Sequence, residues 1–166
     1  MEAIFKRRSI RKYTDTQVPD EMIKKILAAA MQAPSAGNQQ PWHFIVLKDK
    51  KTLVELSGFS TYCKMMKDAP VSILVCGDLS LEAHKGFWVQ DCSAAVQNML
   101  LEVAHLGLGA VWLGAYPRED RVAFIQKSLA LPVHIIPFAV IPVGYPAQEL
   151  PASDRYNQSR VHYGKW

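Results

Sequence analysis

Residues 70–76 read Pro-Val-Ser-Ile-Leu-Val-Cys, and residues 88–103 read Trp-Val-Gln-Asp-Cys-Ser-Ala-Ala-Val-Gln-Asn-Met-Leu-Leu-Glu-Val. The first stretch is an apolar, β-branched run opened by a proline, as expected of a strand buried on both faces. The second carries Val89, Cys92, Val96, Met99, Leu100 and Val103 at helical spacing, the longest such stripe in the chain. That helix is apolar around much of its circumference. It should therefore be covered on several sides, by its own sheet and by a second copy of the chain.

The flanking sequence extends this pattern. Met22, Ile23, Ile26, Leu27, Ala30 and Met31 form another helical stripe. Pro19 fits its first turn, Asp20 and Glu21 suit its positive end, and Pro34 stops it. His43–Leu47 reads as a short strand and 49–58 as a helix. The two glycines of 105–109 close the long helix, and Ala110–Leu113 reads as a further strand. Arg118–Leu129 reads as a helix with Val122, Ile125 and Leu129 inward. Ile135–Val143 is strand-like but holds Pro137 and Pro142, which places it at an edge or gives it a bulge. The fold class is α+β: a central mixed or antiparallel sheet flanked by helices, in one domain spanning 1–166. Residues 146–166 form a C-terminal extension whose closing Tyr163 and Trp166 should dock, on this domain or on a partner subunit.

Composition narrows the function. The 166 residues are 49% hydrophobic and 20% charged, with a net charge of +4. That is a globular balance with a mild basic excess, which suits a phosphorylated small molecule as well as nucleic acid. The remaining charges are mixed in sign and lack aromatic–basic interleaving, so no nucleic-acid partner is expected. No apolar run reaches the roughly 18 residues of a membrane span. Cys63, Cys76 and Cys92 are scattered and odd in number, which argues against a disulfide framework or a zinc site and for a cytoplasmic location. The five histidines have no metal-ligand spacing, and His43 and His134, beside strand runs, read as structural. Gly107-Leu108-Gly109 lacks a third glycine and follows a helix, so it is no dinucleotide fingerprint. No acid–base or nucleophile signature is present, so no catalytic side chain is expected.

Four segments offer binding chemistry. Arg7-Arg8-Ser9-Ile10-Arg11 concentrates guanidiniums and a hydroxyl, the donors a phosphate needs. Ala33-Pro34-Ser35-Ala36-Gly37-Asn38-Gln39-Gln40-Pro41-Trp42 supplies amides able to read the edge of a heterocycle. Ala110-Val111-Trp112-Leu113-Gly114-Ala115-Tyr116-Pro117 ends a strand with a glycine and an alanine that let backbone N–H groups approach a ligand closely. Arg155 and Arg160 place cations in the tail. Each segment alone also fits an ordinary solvated terminus, turn or tail.

Taken in order, RRSIRKY, APSAGNQQPWHFIV, DAPVSILVCGD, QDCSAAVQNMLLEVAHLGLGAVWLGAYP, IPVGYP and RVHYGKW resemble the nitroreductase family of FMN-dependent oxidoreductases across nearly the whole chain. The chain resembles its minimal members, which lack a long helical insertion before the central helix. The resemblance implies a homodimer with FMN at the subunit boundary. Arg7 and Ser9, with Arg8 beside them, would hold the phosphate and ribityl chain, and Arg11 would face flavin N1. Pro34, Ser35 and Asn38 would reach the other subunit's flavin. Gly114 and Ala115 match the pair whose backbone N–H would face flavin N5, with Leu113 also among the cofactor-binding residues. Arg155, with Arg160 as competitor, would meet the phosphate, and Lys64 is the candidate at the pyrimidine edge. NADH or NADPH would deliver hydride through N5 to nitroaromatics or quinones by a ping-pong route. A flavin carrier or sensor, or a specialised activity such as reductive dehalogenation, is the alternative. A cation ~4 Å from the reduced ring at an effective dielectric of ~20 is worth roughly 4 kcal/mol, or roughly 80 mV for two electrons. Trp88, Phe87 and Tyr116 are aromatic candidates for the cavity wall, against the plainer role of core residues.

Overall fold

The computed structural model describes residues 2–151 and 153–166. Its sheet consists of β1 (Trp42–Leu47), β2 (Val71–Asp78), β3 (Gly109–Ala110), β4 (Leu113–Gly114) and β5 (Ile135–Gly144). The order is β1-β2-β5-β3, with β4 also on β5, and every ladder is antiparallel. The one parallel pairing among the described residues is an isolated bridge between Ser9 and Ala110. The helices are α1 (Glu2–Lys6), α2 (Asp20–Met31), α3 (Lys50–Leu56), α4 (Trp88–His105) and α5 (Glu119–Ser128). Helix α2 begins one residue after Pro19, which sits at the cap rather than inside the first turn.

All eight residues of β2 are buried, because both faces of the sheet are covered. Val71, Ile73 and Val75 pack with α2 and α4, while Leu74 and Cys76 pack with α3, α5 and the 59–66 segment. This is the period-two alternation of a strand between two layers. Helix α4 lays Cys92, Ala95, Val96, Met99 and Val103 against the sheet at essentially no exposure. Its far face, with Gln90, Gln97 and His105 exposed and Ala94, Leu101 and Ala104 half-buried, is left open within the single chain. In α5 only Ile125 is fully buried. Val122 and Leu129, expected inward, are half-buried, since this helix covers the sheet along a narrow line.

The two prolines of β5 do not put it at an edge. It runs between β2 on one side and β3 with β4 on the other. It tolerates them through two local devices. The register with β2 steps from Val75↔Ala139 to Cys76↔Pro137, so Phe138 is bulged out beside Pro137. The expected 110–113 strand is split into β3 and β4, and the gap falls where Pro142 would have to donate. The Pro142 carbonyl instead accepts from the buried Tyr13 hydroxyl at 3.3 Å.

The N-terminal segment is sealed to this edge. Ile10 N–H donates to the Ala110 carbonyl at 2.9 Å, and Thr14 N–H to that of Tyr145 at 2.9 Å. The tail begins by pairing back, with Ala147 N–H on the Lys12 carbonyl. Its final aromatics stay in solvent within the single chain: Tyr163 is 84% exposed and Trp166 fully so. The cysteines are free, and burial pushes Cys63 up to about 11 and Cys76 and Cys92 to about 12, so none is a ready nucleophile.

Gly109 is where the N-terminal segment meets the sheet most tightly. A Cβ there would lie 2.6–2.9 Å from three side-chain carbons of Ile10, including its own Cβ. Gly109→Ala should cost about 1–3 kcal/mol by overpacking. The check is urea unfolding: the midpoint drops with an unchanged slope, whereas an unchanged midpoint would show that the contact yields freely.

Candidate functional site

Of the clefts that the cations of the N-terminal segment line, two also gather other binding candidates singled out in the sequence. The first is lined by Ile4, Phe5, Arg7, Arg8, Gln97, Ser153, Asp154, Arg155 and Tyr156. Arg7 and Arg155 come together here although 148 positions separate them in the chain. Burial, then the neighbouring Arg155 and Arg8, hold the Arg7 guanidinium below its usual value. Among the described residues none of Arg7, Arg8 and Arg155 is in an ion pair. Asp154 is turned onto the Tyr156 N–H at 3.0 Å.

Arg8 differs from its neighbours. Its Nε donates to the Pro151 carbonyl at 2.7 Å, and its Nη1 donates to the carbonyls of Phe5 and Arg7 at 2.8 and 2.6 Å. It is a clasp between the N-terminal segment and the start of the tail. Its Nη2 is buried without a hydrogen-bond partner. An unsatisfied donor beside two guanidiniums without ion pairs is the kind of donor set that an anion would satisfy. Ser9 is bridged to Ala110 and lines neither cleft. Arg160 does not line the first cleft, so of the two tail cations Arg155 is the one beside Arg7.

The second cleft has a volume of about 440 Å³ and is lined by Arg11, Thr61, Tyr62, Cys63, Lys64, Met65, Trp112, Leu113, Gly114 and Arg121. It gathers Arg11, Leu113 and Gly114 with Lys64. Arg121 escaped the sequence reading; it lies on the first turn of α5, and its Nη1 donates to the Gly114 carbonyl at 2.8 Å. Ala115 does not belong to this cleft. It is fully buried, and its N–H donates to the Phe138 carbonyl at 3.0 Å, so that N–H is not free for a ligand. The bulge at Phe138 is what leaves this carbonyl to the Ala115 and Tyr116 amides. Of the expected aromatic wall, Trp88 is core, 4.7 Å from the Tyr116 ring centroid, while Tyr116 and Phe87 are partly exposed.

Pro34, Ser35 and Asn38 lie elsewhere, near the N-terminal end of α4, and line neither cleft. Their loop is sharply bent: Gly37, Asn38 and Gln40 have φ of +53°, +57° and +46°. Asp91, buried on α4, holds it. One carboxylate oxygen accepts from Ala36 N–H at 2.9 Å and the other from the Gln39 amide at 2.6 Å. The Gln39 oxygen in turn accepts from His84 N–H at 2.9 Å. The Ser35 hydroxyl accepts from Gln40 N–H at 3.0 Å. Asp91 was missed in the sequence because a lone acid in an apolar helix has no distinguishing spacing. His43 pairs with Asp78 at 3.1 Å, the hydrogen-bonded structural role expected of it. Among the described residues no group of three or more His, Cys, Asp or Glu could hold a metal ion, and no helix is long and apolar enough to cross a membrane.

Removing the Asp91 carboxylate should release the loop. Asp91→Ala leaves two donors without an acceptor at a cost of about 1–3 kcal/mol. Hydrogen exchange at Ala36 should quicken far more than exchange in β2; equal changes at both would mean that Asp91 serves only global stability.

The nitroreductase family model matches residues 4–60 and 60–145, leaving the tail outside the match. A protein of Methanothermobacter thermautotrophicus, provisionally named NADH dehydrogenase/NAD(P)H nitroreductase, is 54% identical over 166 residues, covering 100% of this chain and 87% of its own. A crystal structure of a Clostridium acetobutylicum protein, provisionally named NADH oxidase, superposes with a TM-score of 0.96 at 48% identity, covering 99% of each chain. A provisionally named nitroreductase of Desulfovibrio desulfuricans, solved in complex with FMN, gives 0.87 at 36% identity, covering 99% of this chain and 96% of that one. Sequence and fold thus agree along the whole length from α1 through β5, and the chain belongs to the nitroreductase family.

Proposed function

We propose that this chain is an FMN-dependent NAD(P)H oxidoreductase that works as a homodimer and reduces small, flat, electron-poor acceptors such as nitroaromatics and quinones. The observation that carries it is the meeting of Arg7 and Arg155 beside the orphaned Arg8 Nη2, with Arg11 of the same N-terminal segment lining the cleft of Gly114. A phosphate at one end and a flat polar ring at the other fit this run of residues. The FMN held by the Desulfovibrio relative and the NAD(P)H in the name of the Methanothermobacter relative support the same assignment.

FMN, when bound, accepts hydride from a nicotinamide and passes it on, which is why the protein needs no acid–base dyad of its own. The chain's residues bind and orient. Arg7 and Arg155 hold the phosphate by charge-assisted hydrogen bonds, and Arg8 fixes the tail so that Arg155 stays beside Arg7. Ser9 holds the ribityl chain. Arg11 and Lys64 supply positive charge at the pyrimidine side, stabilising the anionic reduced form. Gly114, without a side chain, keeps the ring's approach open; a Cβ there would meet only the Tyr116 carbonyl oxygen, at 3.9 Å. Donor and acceptor would use the second cleft in turn, hence ping-pong turnover.

The second subunit completes the site. The open face of α4, the Pro34–Asn38 loop set apart from the arginines, and the exposed tail aromatics all favour this. A partner would cover the first, bring the second over the flavin and dock the third.

The test is the visible spectrum of the purified protein, read before and after anaerobic NADH and then NADPH. A flavin spectrum that bleaches is expected; a flavin that neither donor reduces would indicate a carrier or sensor instead, and a protein that cannot be loaded with FMN would overturn the assignment. In the same preparation, Arg11→Ala should lower the flavin midpoint potential. Arg11 is exposed in the single chain, so screening reduces the effect to on the order of tens of millivolts. An unchanged potential would remove Arg11 from this role.

A further inference from the structure

We propose that Arg121 makes the second cleft an anion-selecting substrate subsite, so that flat acceptors bearing a carboxylate are bound in preference to neutral molecules of the same shape. This rests on the function proposed above and names the substrate class of that site.

The cleft's lining contains Arg11, Lys64 and Arg121 but no Asp or Glu. Among the described residues none of these cations is in an ion pair. The proposed cofactor role draws on Arg11 and Lys64 and leaves Arg121 over. Arg121 is also the most firmly placed of the three. Its Nη1 is anchored on the Gly114 carbonyl at 2.8 Å, and it is half-buried, whereas Arg11 and Lys64 are exposed. The peptide on which it rests is itself fixed, since the Ala115 N–H at its other end is bonded to Phe138. A planar guanidinium held by one nitrogen retains further donors in a fixed fork, the geometry that suits a carboxylate. Little rotamer freedom remains to be lost on binding. Trp112 and Tyr62 add aromatic surface to the same cleft, with Tyr62 76% exposed. Flat rings bind such surface, and the cation selects among flat rings by charge.

The test is isothermal titration of the protein as purified with benzoate and with benzamide, which match in size and differ in charge. Benzoate should bind at least about tenfold tighter at low ionic strength, with the advantage shrinking as salt is raised. R121Q should erase most of that preference while leaving benzamide unchanged, and Arg121→Lys should keep part of it. Equal affinity for the two ligands, or an R121Q protein that still prefers benzoate by the wild-type factor, would overturn the proposal. If R121Q does not fold, benzoate-induced amide shifts in the wild-type protein decide. Shifts at Leu113, Gly114 and the Trp112 indole support the subsite; shifts confined to Arg7 and Arg155 overturn it. None of these readouts needs turnover. A protein whose flavin NAD(P)H does not reduce would fail the functional assignment and still report on Arg121.

Discussion

Everything in this chain hangs on a sheet whose inner strands, β2 and most of β5, have no solvent face. Because β2 is buried on both sides, helices must cover it twice, and α4 becomes the wall between the sheet and whatever lies beyond. Strand β5 must then pair on both edges despite two prolines. It does so by bulging at Phe138 and by dividing its outer partner into two short strands. Those irregularities are what build the site. The bulge ties the Ala115 amide, the divided strand places Trp112, Leu113 and Gly114 at a cleft, and β3 receives the N-terminal segment that brings in Arg7, Ser9 and Arg11.

The second organising fact is electrostatic. Like charges gather at both clefts without an ion pair among the described residues: the second cleft is lined by no carboxylate, and Asp154 of the first is turned onto the Tyr156 N–H. Such clusters persist when a ligand supplies the missing charge. Arg8 illustrates how the fold divides labour among adjacent cations. Three of its donor contacts go to backbone carbonyls, so it shapes the place where Arg7 and Arg155 meet more than it fills it. Gly114 and Ala115 show the same division in the backbone. Neighbours in sequence, one lines the cleft and the other is committed to the sheet.

The sequence made some of this legible and hid the rest. The β-branched run of β2 and the long stripe of α4 can be read directly, since burial on both faces and on one helix flank each leave a periodic trace. The prolines of β5 announced an irregularity but not its position inside the sheet, because whether a missing N–H matters depends on which neighbour lies opposite. RRSIR stood out as a dense cation cluster, yet that Arg8 would turn to backbone carbonyls is a matter of tertiary placement. Arg121 and Asp91 were invisible for a common reason. Arg121 acts through one bond to the Gly114 carbonyl and Asp91 through bonds from the Ala36 N–H and the Gln39 side-chain amide, and single polar residues on helices carry no pattern.

The central claim is that the arginine cluster holds a phosphate. The direct measurement is the affinity of the flavin-stripped protein for FMN against riboflavin, which differ only in that group, followed by quenching of flavin fluorescence at low ionic strength. The account predicts FMN binding tighter by roughly a hundredfold, equivalent to about 2.7 kcal/mol of charge-assisted hydrogen bonding. Equal affinities would contradict it, since the unpaired guanidiniums of Arg7 and Arg155 would then have another purpose.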